Sequence, residues 1–536
     1  MIRIKSLILR LGLVGLGGLG MGLTSAPVGA WPLAWVTLVP LWVALCQPPL
    51  AAKKRRALGL AIRDGFLWGW LYGGVTVHWL WFLHPLTWMG VPWLISLAIA
   101  AFAWGVVAIT GGLWIGAWAG LFVACRLWFK TPELGLARWG GIIQRLLLGL
   151  GLWVGLDTLM QQGILYWPSL AFTQSPVNLA ALHLSRLSGP ATVSAAIVLA
   201  NGLLAEAWLQ AQRQRSASER ASAPASTPTP RTLIVAATVV LISVHGVGLG
   251  LLQRSTPGSP LTVGLIQANV PTRIKLTNDG IRRALRGYSR GYHALVDQGA
   301  ELVVLPEGAL PFRWTPTAPR DPLATAIRDR QVAAVVGTFA TRDEQLTQSL
   351  LAVAGSGEIV GRYDKVKLVP LGEYIPLQNS LGRIVGRLSP IQSDMLPGPR
   401  RQILMTPFGA AIAGICYESG FPAAFRDQAA AGGTLIITAS NNDPYPITMM
   451  AQHHAQDILR AIETDRWAVR ATNTGYSGIV DPHGRTRWRS EANTYTTKLA
   501  TVEQRTTQTP YVRWGDWLTP SLVVLAGASL LVPGRP

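Results

Sequence analysis

From Gly65 to Cys125 the chain carries no Asp, Glu, Lys or Arg. A water-soluble domain does not leave so long a stretch uncharged, because some face of every element in it meets solvent. A bilayer core, by contrast, asks for uninterrupted apolar runs of about 20 residues. The rest of the composition agrees. Only 14% of residues are charged, against roughly 25% in ordinary soluble proteins, and the mean hydropathy is +0.30. At 536 residues the chain is too long for one hydrophobic core. These features exclude a disordered chain and a wholly soluble enzyme. Three cysteines, Cys46, Cys125 and Cys416, are too few for a disulfide-stapled scaffold.

Apolar runs suggest a multi-pass α-helical bundle of eight candidate spans, at about 7–24, 31–47, 65–83, 91–127, 145–163, 189–210, 232–252 and 517–533. The run 91–127 decides the topology. As one helix it would be about 55 Å long, well beyond a roughly 30 Å core, and Gly111-Gly112 offers a place to break it. If it crosses once and the N-terminus is cytoplasmic, the basic residues sort to one side. Lys53-Lys54-Arg55-Arg56, then Lys130, Arg138 and Arg145, then Arg213, Arg215, Arg220 and Arg231 all fall inside, as the positive-inside rule asks. A break reverses every later loop, so one crossing is expected. The formal net charge of +20 is then largely a topology signal, and no nucleic acid is implied. Met1–Ala30 has the outline of a signal peptide, but its apolar run exceeds a 7–15-residue h-region, so it is expected to stay as the first span.

The expected organisation is a seven-span bundle over 1–253, an α/β domain over 254–510 and a C-terminal span within 511–536. Residues 211–231, rich in Ser, Ala and Pro, read as a cytoplasmic linker. In the second part, β-rich runs at Leu261–Ala268, Ala300–Leu305, Val332–Phe339, Ala410–Tyr417, Thr434–Ala439 and Trp467–Thr472 alternate with helical patterns at Asp279–Asp297, Asp321–Arg330 and Ala451–Thr464. Such alternation suggests one α/β domain. The span count places it outside the cytoplasmic (inner) membrane, on the external or periplasmic side.

Three motifs in that domain carry chemistry. Glu307 in Leu305-Pro306-Glu307-Gly308 follows the apolar strand Leu302-Val303-Val304, where desolvation raises a carboxyl group and suits it to act as a base. Lys365 lies in Tyr363-Asp364-Lys365-Val366-Lys367-Leu368-Val369-Pro370, which continues to Gly372-Glu373-Tyr374. Cys416 lies in Gly414-Ile415-Cys416-Tyr417-Glu418, at the end of another apolar run. Singly, each has a plainer reading: a small core thiol, a solvated loop start, an exposed lysine. Together and in order they supply a base, a cation and a nucleophile, which is what thiol acyl chemistry needs.

On these residues the domain resembles the nitrilase (carbon–nitrogen hydrolase) superfamily, and its position between the last two spans of a helical bundle resembles the bacterial apolipoprotein N-acyltransferase family. Further matches are Gln267-Ala268-Asn269, Ser440-Asn441, and Arg470 through Asn473-Thr474-Gly475 to Ser477. Two segments depart. Leu276 stands where the family commonly has Trp, and Asn442-Asp443-Pro444-Tyr445-Pro446 replaces its Asp-Ala-Trp-Phe-Gly; both are associated with substrate handling. The resemblance implies an αββα sandwich, with Cys416 as nucleophile, Glu307 as general base and Lys365 as oxyanion stabiliser. Glu373, Tyr417 and Glu418 support the site. It implies ping-pong transfer of an acyl chain from a phospholipid, through a Cys416 thioester, to the α-amine of a diacylglyceryl-modified apolipoprotein. No metal or organic cofactor is implied, and His453-His454 lacks ligand spacing.

Two rival readings remain: a membrane-tethered amidase with water as acceptor, and a transporter or sensor whose outer domain binds ligand. Within the bundle, Trp79, Trp81, Trp88 and Trp93 flank an external turn where interfacial aromatics are expected. Asp157, alone in an apolar span, is a candidate by default. The loop Leu371–Gly398, with Tyr374, Ile375, Leu377, Leu381, Ile384, Val385, Leu388 and Ile391, is apolar enough to act as a lid at the lipid interface.

Overall fold

The computed structural model describes residues 2–47, 53–129, 137–167, 169–218, 228–254, 256–318, 320–375 and 394–531. The chain forms two compact units, one of Met1–Trp81, Leu97–Gln253 and Asp516–Pro536, the other of Phe82–Ser96 and Arg254–Gly515.

The first unit is helical. Among the described residues four helices are long and apolar enough to cross a membrane, within Trp93–Trp128, Trp139–Gln162, Pro190–Arg215 and Pro230–Leu252, and Leu7–Gly22, Trp31–Cys46 and Leu518–Leu531 form shorter apolar stretches. The run around Gly111-Gly112 is unbroken: Trp93–Trp128 is one 36-residue helix. Its glycines let it lie close on the helix Lys54–Thr76, where a Cβ on Gly69 would come within 2.6 Å of Gly111 O. Small residues are what permit such an approach.

Three boundaries differ from the sequence expectation, each for a physical reason. The third helix begins at Lys54 rather than Gly65, because the fully buried Asp64 is paired with Arg10 and Arg63, both at 2.6 Å. Avoiding charge in the sequence therefore cut the helix short. The second apolar run is not one helix but a 3-10 turn, Trp31–Trp35, and a short α-helix, Val39–Cys46. The backbone groups freed at the break are met from neighbouring helices, since an unpaired one is costly in an apolar setting. Asn201 accepts from Leu38 N and donates to Ala34 O, and Trp68 Nε1 donates to Thr37 O. The helix from Pro190 runs on to Ser218, so 211–218 are helical where a linker was expected, consistent with good helix formers in Gln210-Ala211-Gln212-Arg213-Gln214-Arg215.

The second unit holds two sheets. The first runs in the order β13-β1-β2-β4-β5-β6, with β3 (Leu310–Arg313) on β4, from β1 (Ser259–Gln267), β2 (Leu302–Val304), β4 (Ala333–Arg342), β5 (Gln345–Val353), β6 (Ile359–Asp364) and β13 (Thr496–Gln504). The second runs β12-β11-β10-β9-β8-β7, from β7 (Leu404–Thr406), β8 (Gly409–Ile415), β9 (Ile436–Ser440), β10 (Ala468–Thr472), β11 (Gly478–Val480) and β12 (Thr486–Arg489). Side chains alternate across a strand, and both faces of these strands are apolar. Leu302, Val304, Ala333 and Val335 turn inward to meet Ala413, Ile415, Ile437 and Val469 of the other sheet. Val303, Leu305, Ala334 and Val336 turn outward onto Tyr288, Tyr292 and Leu295 of the helix Asn278–Asp297, and onto Ala324 and Ile327 of Pro322–Arg330. Helices Pro422–Ala430 and Ile447–Thr464 cover the second sheet. The result is a four-layer αββα sandwich.

Of the apolar loop considered as a lid, 376–393 lie outside the described residues. Its flanks pack on the domain: Leu368 and Met395 join Phe339 in a small buried cluster, with Tyr374 against it.

Candidate active site

Glu307 lies just past β2, Lys365 directly after β6 and Cys416 directly after β8. Carboxyl ends of strands in an open α/β sheet are where ligands collect, and here side chains staple these ends to one another. The Lys365 ammonium donates to Glu307 Oε1 at 2.9 Å and to Glu373 Oε1 at 2.7 Å. Asn441 N, at the end of β9, donates to Glu307 Oε2 at 2.8 Å, and Val369 N donates to Glu373 Oε2 at 2.8 Å. Both carboxylates thus have one oxygen on the ammonium and the other on the backbone. An ammonium has three protons; two of those on Lys365 are used among the described residues.

Glu418 does a different job. Its Oε1 accepts from Val366 N (2.7 Å) and Lys367 N (3.1 Å), and its Oε2 from Ile415 N (2.7 Å) and Tyr363 Oη (3.0 Å). One buried carboxylate therefore ties the Lys365 turn to the strand that delivers Cys416. Tyr417 is half-buried, with its ring edge-on to Phe421 at 5.0 Å between centroids.

Cys416 opens a short 3-10 turn with a left-handed backbone, φ 52°. A non-glycine residue held there stores strain that its surroundings must sustain, and His453 is one support. Its Nε2 lies 2.7 Å from Cys416 O and its Nδ1 lies 3.0 Å from Asn442 Nδ2. A carbonyl can only accept, so Nε2 carries the proton and Nδ1 accepts from the amide. Arg470, on β10, backs this helix through Asp457 Oδ2 at 2.5 Å, His453 O at 3.3 Å and Ser419 Oγ at 3.0 Å.

The electrostatics separate the thiol from the ammonium. Burial first, and then the Glu307 carboxylate, push the Cys416 thiol up to about 12, with Lys365 pulling the other way. The thiol is protonated at neutral pH and needs a base. Burial alone would lower the Lys365 ammonium, but Glu307 and Glu373 hold it well above the ordinary lysine range. Burial raises Glu373 despite Lys365, and burial raises Glu418 despite the N–H groups of Ile415, Val366 and Lys367.

The structure thus brings together Glu307, Lys365, Glu373 and Cys416, and places Glu418 as the clamp between two of their loops. It adds three residues that the sequence did not single out for the site. Lys275 is buried with Nζ 3.1 Å from Glu307 O. Tyr445 is shifted upward, first by burial and then by Cys416. It belongs to the segment 442–446 that departs from the family pattern, and that departure was its only signal. His453 acts through the backbone of Cys416. Asp157 lies in the helical unit, where Tyr166 Oη and Gln161 Nε2 donate to it at 3.4 Å.

His453 supplies a test by mutation and by pH. Burial first, then Arg470, lower its imidazole to about 3, and His454 is lowered to about 4 by the same causes. A histidine depressed in the fold binds its proton more readily when unfolded, so stability is lost as pH falls from about 6.5 towards those values. Thermal melts of the intact protein should show a falling Tm from pH 7 to pH 5. His453→Ala should orphan the Cys416 carbonyl, costing roughly 1–3 kcal/mol and slowing reaction at the thiol. His453→Gln, which keeps a donor, should recover part of both.

A thiol, a carboxylate and an ammonium are thus gathered at strand ends between two sheets, in a domain of the carbon–nitrogen hydrolase class: residues 262–511 match the carbon-nitrogen hydrolase family. Residues 17–203 match the apolipoprotein N-acyltransferase N-terminal domain. Among similar proteins, the apolipoprotein N-acyltransferase of a Nostoc species is 47% identical over 94% of this chain and 96% of its own length. Those of a Synechocystis species and of Thermosynechococcus vestitus are 39% and 41% identical, over 95% and 97% of this chain and 98% and 94% of their own lengths. The chain belongs to the apolipoprotein N-acyltransferase family.

Proposed function

We propose that this chain transfers an acyl chain from a phospholipid to the α-amine of the diacylglyceryl-cysteine at the N-terminus of apolipoproteins. The observation that carries the mechanism is the Lys365 ammonium held between Glu307 and Glu373, in electrostatic reach of a buried, protonated Cys416. Glu307 takes the thiol proton as Sγ attacks the ester carbonyl carbon. The negative charge on the carbonyl oxygen falls to Lys365, with Tyr417 N–H as a second donor, an arrangement worth several kcal/mol in a dry site. The C–O bond then breaks, the proton passes from Glu307 to the departing alkoxide, and lysophospholipid leaves. In the second half the acceptor amine, having given one proton to solvent, attacks the thioester carbon. Glu307 takes its second proton and returns it to the sulfur as the C–S bond breaks.

The test is intact-mass measurement. Purified protein mixed with phospholipid vesicles should gain the mass of one acyl chain, and a diacylglyceryl lipopeptide with a free α-amine should remove it. Discharge by water as fast as by the lipopeptide would make the protein a membrane-tethered amidase instead.

The proposed setting is the cytoplasmic (inner) membrane of a bacterium, with eight spans and the catalytic domain outside. The apolar helices and the sorting of basic loops support it. A reporter fused at the exposed Ser356 should be active only as an external fusion; cytoplasmic activity there would overturn the span count.

A further inference from the structure

The catalytic centre contains more negative than positive charge if Lys365 is its sole cation: the buried Glu307 and the partly buried Glu373 both lean on one ammonium. Forming a thiolate beside them adds to that excess at the moment of reaction. A second buried lysine lies in the same place. Lys275 ends the single turn Thr272–Lys275 and is only 8% exposed. Its Nζ donates to the backbone carbonyl of Glu307 at 3.1 Å. Gly308, left-handed at φ 53°, makes room for it, since a Cβ there would lie 3.3 Å from that nitrogen. The charges acting on Lys275 are Glu307, Asp443 and Cys416. A carbonyl would be served as well by a neutral donor, whereas a buried ammonium is expensive unless charge nearby repays it.

We propose that Lys275 is a second cation of the active site, a positioning residue that balances Glu307 and Glu373 so that the Cys416 thiolate can form. The inference deepens the acyltransferase reading and rests on Cys416 being the nucleophile. Burial lowers the Lys275 ammonium to about 8 against the pull of Glu307, so it is charged at neutral pH and loses that charge in mild alkali. The groups facing Cys416 are Glu307 and Lys365 from the first sheet, Glu373 from the turn after it, Arg470 from β10 and Tyr445 from the segment after β9, with Lys275 from the turn after β1. Of the cations, Lys365 is committed to two carboxylates and Arg470 to Asp457. Lys275 has no carboxylate within ion-pair distance among the described residues, so its charge acts on the group of anions as a whole.

The sign follows directly. Removing a cation raises the pKa of a neighbouring thiol, so less thiolate forms and the rate falls at any fixed pH below that of the thiol. The readout is alkylation of Cys416 by iodoacetamide in the full-length protein, with Cys46 and Cys125 replaced by Ala. It needs no lipid, so it reads this inference even if the acyltransferase reading fails. Lys275→Gln keeps a donor for the Glu307 carbonyl and loses the charge. Its alkylation at pH 7.5 should be about tenfold slower, for a shift of about one unit, and thioester formation from phospholipid should fall in parallel. Lys275→Arg, which keeps the charge, should stay within about threefold of the parent, about half of that tenfold effect on a logarithmic scale. A purely structural role predicts a loosened site and equal or faster alkylation of Lys275→Gln. That result, or an equal fall in Lys275→Arg and Lys275→Gln, would overturn the proposal. Should Lys275→Gln fail to accumulate, Lys275→Met carries the same expectation and the same overturning result.

Discussion

Cys416→Ala should form no acyl adduct with phospholipid and should transfer no acyl chain to a lipopeptide amine. The loss expected on deleting a covalent nucleophile is on the order of a millionfold in turnover, which in practice means no detectable product. The argument is one of inventory. Cys46 and Cys125 are in the helical unit, and Cys416 is the single thiol of the α/β unit. Cys416→Ser tests the thiol itself. A serine hydroxyl would occupy the same strained turn but is a far weaker acid, so Glu307 would have to remove a harder proton, and the adduct should accumulate slowly if at all. The fold should tolerate both changes, because among the described residues the Cys416 thiol makes no hydrogen bond and its contact with His453 runs through its backbone carbonyl. A Cys416→Ala protein that still gains an acyl mass at the parental rate would show that the nucleophile lies elsewhere.

What the sequence could and could not disclose divides along physical lines. Buried strands with apolar runs, β1, β2, β4, β8, β9 and β10, were each visible, whereas the equally buried β5 was hidden by its polar Thr347, Gln348 and Ser349. The partly solvated β6, β12 and β13 alternate weakly and merge into their surroundings. Glu307, Lys365 and Cys416 stood out as candidates because each stands directly behind one of these buried runs or inside a distinctive motif. Lys275 was not, since a lysine in a one-turn helix looks like any solvated lysine until the fold closes over it. His453 shows in the sequence only as one of two adjacent histidines without ligand spacing, and a side chain that acts on a backbone carbonyl of a residue 37 positions away leaves no spacing to read. In the bundle, Asp64 misled the placement of the third helix because a buried ion pair allows charge where hydropathy forbids it.

Lys365→Met should abolish acyl transfer and also destabilise the α/β domain, and the two losses should come apart in a second variant. Lys365 is buried between Glu307 and Glu373. Removing it leaves the buried Glu307 and the partly buried Glu373 facing each other without a cation. Breaking a buried pair from one side costs about 3–5 kcal/mol, and the two acids can relieve it only by binding a proton, as paired carboxylates do. Stability of Lys365→Met should therefore improve as pH falls towards 5, opposite to the trend the buried histidines impose on the parent. Adding Glu373→Gln removes one of the two stranded charges, so Lys365→Met/Glu373→Gln should regain much of the lost Tm at pH 7. It should regain no activity, because the oxyanion still lacks its ammonium. If the double variant recovers acyl transfer along with stability, Lys365 matters only as a structural counter-ion and the oxyanion is stabilised by something else. If it recovers neither, Glu373 is not the group that the ammonium neutralises, and the description of the centre as one cation shared by two carboxylates fails.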